Sequence, residues 1–163
     1  YDMSQTMIPF DDVDKEFLIV PHKWDTSDLR RFMNIMGVVA SSIDIVEFIG
    51  FYYLLGFNAN NPVMFQTAWF IEGVISQTLI VHFVRTAKIP FIESTANKYL
   101  LISTFLCIIA SMILPILLAP IKSFHFTYLP LNFYIFVIFL SLLYIVVEEI
   151  VKKMYIKKYK RWL

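Results

Sequence analysis

Residues 100–118 read LLISTFLCIIASMILPILL, nineteen positions without a charge, and residues 133–147 read FYIFVIFLSLLYIVV, again apolar on every side. A strand of a membrane barrel would alternate polar and apolar residues over about ten positions, and neither stretch alternates. Roughly 18 apolar residues are enough to cross a bilayer. Lipid offers no hydrogen-bond partners, so a span there satisfies its own backbone groups as an α-helix. The fold class predicted from these two stretches is an all-α membrane protein.

Working outward, the chain holds four such stretches, at 31–57, 65–84, 99–118 and 131–151. The first is interrupted by Asp44 and Glu47; the second contains Glu72 and ends at Arg85. The third carries no charge, and Pro115 is expected to kink or end it. The fourth closes on Glu148, Glu149 and a basic tail. Composition agrees with four spans. The 163 residues are 58% hydrophobic and 17% charged, with a mean hydropathy of +0.66. A chain of this length makes one domain and buries only about 70% of its unfolded surface, so in water it would leave large apolar patches exposed.

The charges set an orientation. Lys15, Lys23, Arg30 and Arg31 precede the first span; Arg85, Lys88 and Lys98 lie between the second and third. Lys152, Lys153, Lys157, Lys158, Lys160 and Arg161 follow the fourth, so thirteen of the fourteen Lys and Arg fall on one side. The loop at 58–64 carries none and the turn at 120–130 carries only Lys122. Basic residues collect on the cytoplasmic side, which predicts that both termini are cytoplasmic.

The first thirty residues differ in character. Asp11, Asp12, Asp14, Lys15 and Glu16 are followed by Pro21, His22, Lys23 and Trp24, a wet loop. Thr26 or Ser27 is placed to cap a helix starting near Asp28. A net charge of +1 gives no basic face for nucleic acid. Cys107 is the single cysteine, so no intramolecular disulfide or cysteine zinc cluster can form; it is expected to pack as a small hydrophobe. The chain opens on Tyr1 with no signal peptide, and is expected to be a piece of a longer protein. Its four glycines, Gly37, Gly50, Gly56 and Gly73, lie in the apolar stretches and build no phosphate loop, and no zinc-protease helix or nucleophile elbow is present. The chain by itself is not expected to hydrolyse ATP.

The intramembrane carboxylates are the residues that call for chemistry. Asp44 and Glu47, three apart, share a helix face, and an unpaired charge there costs about 2.5–3.5 kcal/mol. They either line a cation pathway, since hard divalent cations prefer oxygen ligands, or make interhelical hydrogen bonds with a proton held by burial. Glu72, with Ser76 and Gln77, forms a polar stripe across 69–79 that either meets Asp44 and Glu47 or lines an ion route. His82 is expected at the membrane interface. Gly37, Ser41 and Ser42 suggest a close helix approach. Trp69, Tyr128, Tyr134, Tyr155 and Trp162 fit an interfacial belt. The basic tail 152–161 suits stop-transfer anchoring, with anionic lipid as a second partner.

Longer motifs carry a resemblance. Tyr1-Asp2-Met3-Ser4-Gln5, Ile8-Pro9-Phe10-Asp11 and Val13-Asp14 resemble the end of the sixth transmembrane helix and the following loop of bacterial magnesium-transporting P-type ATPases (type IIIB). Asp28-Leu29-Arg30-Arg31-Phe32-Met33 leading to Asp44-Ile45, and Phe65-Gln66-Thr67-Ala68-Trp69-Phe70 leading to Ser76-Gln77-Thr78-Leu79-Ile80-Val81-His82, resemble that family's seventh and eighth helices. Arg85-Thr86 with Ile89-Pro90-Phe91-Ile92 resembles its next loop, and Leu129-Pro130-Leu131 its last turn. The resemblance implies four spans corresponding to helices seven to ten, preceded by the end of helix six (1–7) and a cytoplasmic loop (8–29). The four-helix domain would then cover 30–151 and a basic cytoplasmic tail 152–163. It implies ATP-driven import of Mg²⁺ across the bacterial inner membrane through a phospho-aspartyl intermediate, with the aspartate elsewhere in the pump. The rest of that pump, membrane lipid and a second copy of the chain are the implied partners. Asp2 matches the carboxylate that coordinates the cation, and Glu72 lies in a helix where related calcium pumps also use one. A single carboxylate falls short of the octahedral oxygens Mg²⁺ demands, so high-affinity binding by this stretch alone is not expected. The loop 8–30, through Asp11, Asp12 and Asp14, is expected to touch the phosphorylation domain. The other readings are a non-enzymatic four-helix scaffold or adaptor, and a small cation channel lined by Asp44, Glu47 and Glu72.

Overall fold

The computed structural model describes residues 2–19, 25–160 and 162. Pro21, His22, Lys23, Trp24 and Arg161, assigned above to the wet loop and the tail, lie outside the described residues. The architecture is all-helical, with four helices long and apolar enough to cross a membrane. After a short turn α1 (Asp2–Gln5) come two 3₁₀ turns, Ile8–Phe10 and Lys15–Leu18. The long helices are α2 (Thr26–Ile49), α3 (Pro62–Val84), α4 (Lys98–Leu118) and α5 (Leu131–Tyr159).

Local chemistry sets their ends. Helix α2 begins at Thr26, two residues before the start expected near Asp28, because the carboxylate of Asp25 accepts from the Ser27 backbone N–H at 2.9 Å. Asp25, not Thr26 or Ser27, is therefore the cap. Helix α2 runs on through one π turn, Gly50–Leu54. At Gly50 a β-carbon would strike the ring of Phe136, so glycine is what lets α5 close on that turn. Pro62 occupies the first turn of α3, where its missing N–H costs nothing. Asn97 caps α4 by accepting from the Tyr99 N–H at 3.2 Å. Pro115 does not end α4 before Leu118, since it lies within the last turn. Helix α5 continues through Tyr159, so most of the expected tail is helix.

Helix α3 is the most enclosed of the four and packs against α4 and α5, while α2 packs on α5. The main core joins Phe51 and Phe57 to Ala68, Ile71 and Ile75 of α3 and to Phe133, Val137 and Leu140 of α5. A second cluster gathers Phe32, Met36, Tyr155 and Trp162 at the Lys/Arg-rich end. The Trp162 ring meets Phe32 edge-on at 5.0 Å, and its Nε1–H donates to the Val84 carbonyl at 3.0 Å. Tyr155 and Trp162 are thus buried, not members of an exposed belt. Outward faces carry Ile45 and Phe48 of α2, Phe105 and Leu117 of α4, and Ile135, Phe139 and Leu142 of α5, all exposed. In water these would be a liability; in lipid they face their own solvent. Gly37, Ser41 and Ser42 are exposed as well, and nothing lies within 4 Å of where a Gly37 β-carbon would stand. The close approach expected there is found at Gly50.

Candidate functional site

Two helices, α2 and α3, bring the intramembrane carboxylates Asp44, Glu47 and Glu72 near one another. Glu47 of α2 and Glu72 of α3 are both buried, 2% and 4% exposed, and lie close to each other. Asp44, one turn before Glu47, faces the same region. It lines a cavity of about 190 Å³ with Glu72, Ser76, Gln77 and, from α5, Tyr144. The stripe expected on α3 therefore lies beside the α2 carboxylates, and with Asp44 it lines this cavity. Asp2 does not line that cavity. It sits exposed in α1, a turn held against α4 where the Ser103 hydroxyl donates to the Ser4 carbonyl at 3.1 Å. Among the described residues no three His, Cys, Asp or Glu side chains converge as a metal-holding group.

His82 is buried rather than exposed at a wet boundary. It is 1% exposed, its Nε2 lies 2.8 Å from Thr104 Oγ1 on α4, and the Phe91 ring covers it at 4.8 Å. The 85–97 segment folding back over α3 is what removes it from water. Cys107 is half-buried, 3.6 Å from the Thr78 hydroxyl, as a packed side chain should be.

That same segment receives the acidic loop. Arg85 donates through Nε to the Asp11 carboxylate and through its terminal nitrogens to the Asp12 carbonyl and the Ser94 hydroxyl, each at 3.0 Å. Asn97 donates its backbone N–H to Asp11 at 2.7 Å and its side-chain amide to Asp12 at 3.0 Å. Thr86 and Ser94 hydroxyls both donate to Asp14, and Lys88 pairs with Glu16 at 2.8 Å. Burial works against the Asp14 charge, but those two hydroxyls, helped by Lys88 and Arg85, outweigh it and hold the carboxyl below its usual range. The hydrogen bond from Lys88 likewise lowers Glu16 and raises Lys88. Asp11, Asp12 and Asp14 are thus engaged within the chain itself.

A depressed carboxylate stabilises the clasp above its unfolded pKa of about 4 and stops doing so as pH falls through the folded value. Acidification below about pH 4 should therefore release the loop, and Asp14→Asn should release it at neutral pH. Two charge-assisted hydrogen bonds, discounted for solvent, are worth about 1–2 kcal/mol, or roughly tenfold in opening. Faster amide exchange over residues 11–19 checks this; unchanged exchange in the variant contradicts it.

The sequence reading missed one group. Lys152 of α5 is 1% exposed; its Nζ donates to the Lys88 carbonyl at 2.7 Å and reaches Glu149 Oε2 at 2.9 Å. Glu148 is fully buried with both oxygens unpartnered. The signal was the four-residue spacing of Tyr144, Glu148 and Lys152, which stacks them on one helix face.

With four spans and a polar seam in place, comparison with known proteins is decisive. Residues 1–154 match the family described as "Cation transporting ATPase, C-terminus". The chain belongs to that family. It is 40% identical over 166 residues to the protein named "Magnesium-transporting ATPase, P-type 1" of Salmonella typhimurium strain LT2, covering 99% of this chain and 18% of that protein. It is 38% identical over 163 residues to the protein of the same name from Escherichia coli K12, covering 98% of this chain and 18% of that one. The chain thus spans about a fifth of the length of these relatives. The family reached through Asp28–Met33 and Ser76–His82 is the family found, and its C-terminal region is the multi-pass membrane part of a cation-transporting ATPase.

Proposed function

We propose that the chain is the C-terminal membrane domain of an ATP-driven Mg²⁺ importer of the bacterial inner membrane. The carrying observation is its end-to-end likeness, at 38–40% identity over 98–99% of its residues, to two proteins named magnesium-transporting ATPases. In this reading residues 1–7 end helix six, 8–29 form a cytoplasmic loop, 30–151 supply helices seven to ten, and 152–163 continue on the cytoplasmic side. The one-sided Lys and Arg support cytoplasmic termini. The phosphorylated aspartate and the nucleotide site belong to the rest of the pump, which is the domain's main partner, and the domain alone is not catalytic. Its exposed apolar faces take lipid, with anionic headgroups near Lys153, Lys157 and Lys158.

Mechanistically the domain keeps the end of helix six in register. The α1 turn is held on α4, and the loop that follows is clasped to the 85–97 segment, so movement of the cytoplasmic domains reaches the membrane through a braced connection. Asp2 is the transported-ion ligand in this reading, and Glu72 an additional one. The test is Mg²⁺ uptake and Mg²⁺-dependent ATPase of the full-length protein in proteoliposomes, wild type against Asp2→Asn and Glu72→Gln. Loss of a ligand should weaken apparent Mg²⁺ affinity by at least the roughly 10- to 100-fold that outer-shell changes produce. Asp2→Asn with wild-type uptake would remove Asp2 from the ion path, and no effect from either variant would make these helices support only.

A further inference from the structure

Glu148 of α5 is a buried acid that the transport reading leaves without a role. It is fully buried, and neither of its carboxyl oxygens has a hydrogen-bond partner among the described residues. An ionised carboxylate only accepts hydrogen bonds and needs donors around it. Buried without them, it carries a desolvation cost that a proton removes. The burial is complete within this chain, so a helix from the rest of a pump reaches these oxygens only by opening the bundle.

Among the described residues, the cation one helical turn away is already committed. Lys152 stands four residues on, along the same face of α5. Its ammonium has three N–H donors, and three acceptors surround it: the Lys88 carbonyl at 2.7 Å, Glu149 Oε2 at 2.9 Å and the Thr86 carbonyl at 3.5 Å. Titratable groups on the neighbouring elements are turned elsewhere. Arg85 and Lys88 are engaged by Asp11 and Glu16, His82 of α3 by Thr104, and Arg31 of α2 by Asp28. Asp44 and Glu47 of α2 and Glu72 of α3 act on Tyr144, a turn back along α5, and bring only negative charge.

We propose that Glu148 is a proton-binding site whose occupancy decides whether Lys152 holds the 85–97 segment. With the proton on, Glu148 is a neutral acid, and Lys152 stays on the Thr86 and Lys88 carbonyls, pinning the segment that receives the acidic loop. With the proton off, the carboxylate competes for the ammonium one turn away and draws it from those carbonyls; the proton passes to water at the loosened junction. The site goes beyond the pump reading and does not depend on which ion is carried, so a pump that transported some other cation would leave it standing. It is tested by amide exchange of the full-length protein in lipid vesicles, read as protection of residues 85–97 so that the intrinsic pH dependence of exchange is divided out. Between about pH 6 and about pH 9, where ordinary carboxylates and lysines do not titrate, wild-type protection should fall by roughly tenfold or more, the scale of one hydrogen bond to a charged group. Glu148→Gln keeps the shape of the neutral acid and cannot ionise, so its protection should hold at the wild-type acid-side level throughout. Glu148→Met takes its place if the glutamine variant fails to fold. An infrared difference between wild type and the folded variant, taken at about pH 6, should also show one carboxylic-acid C=O band. Wild-type protection that ignores pH, the same fall in the folded variant, or absence of that band overturns the proposal.

Discussion

Lys152→Ala is expected to cost about 3–5 kcal/mol of stability, the usual price of removing one partner from a buried ion pair. The ammonium is 1% exposed and sits at a junction. It donates to the Lys88 carbonyl at 2.7 Å, lies 3.5 Å from the Thr86 carbonyl, and faces Glu149 at 2.9 Å. The rings of Phe83 and Trp162 lie within 6 Å of it. Its loss would strand two carbonyls of the 85–97 segment and leave Glu149 without its buried cation. Lys152→Met keeps the stem volume but not the charge, so it should be nearly as damaging. Adding Glu149→Gln to Lys152→Met should recover part of the loss, because neutral replacement of a whole buried pair is close to harmless. The readout is the fraction of purified protein that stays monodisperse on size exclusion after heating. Alanine at 152 behaving as wild type would mean the contacts around Nζ do not hold the junction.

Sequence periodicity carried the spans because lipid imposes one requirement, length without charge, that survives any packing arrangement. The 100–118 and 133–147 stretches were legible for that reason, and α4 matches its expected range to within one residue. Boundaries set by side chains were harder. Asp25 captures the α2 cap from Thr26 and Ser27 through a single carboxylate bond, a choice that composition does not rank. The candidate site was half visible. Asp44, Glu47 and Glu72 were conspicuous as charges in apolar stretches, but their meeting depends on how α2 and α3 pack. His82, Tyr155 and Lys152 looked like interface residues because each stands near a span end. All three are buried by segments that fold back, the 85–97 segment and the end of the chain at Trp162. Tertiary contacts of that kind leave no local pattern.

Phe133→Ala should be the most damaging change in the apolar core, and its size reports on the solvent around the bundle. The Phe133 ring is fully buried, 5.7 Å from Phe51 and 6.3 Å from Phe57 between ring centres, where the start of α5 meets the π turn. In a water-soluble core the cost would combine transfer and cavity contributions and reach about 3–5 kcal/mol. Lipid tails are as apolar as a phenyl ring, so the transfer part largely vanishes and lost packing remains. A void of roughly 100 Å³ at about 24 cal/mol per Å³ gives about 2.4 kcal/mol. Phe139, six residues on and 60% exposed, supplies the contrast. Lipid can fill the space left by Phe139→Ala, so that variant should stay within about 0.5 kcal/mol of wild type. Both are measured by the same heating and size-exclusion series in lipid-like detergent. Equal losses at 133 and 139 would mean that the outer face of α5 packs against protein, and the lipid-facing surface would then have to be sought on another helix.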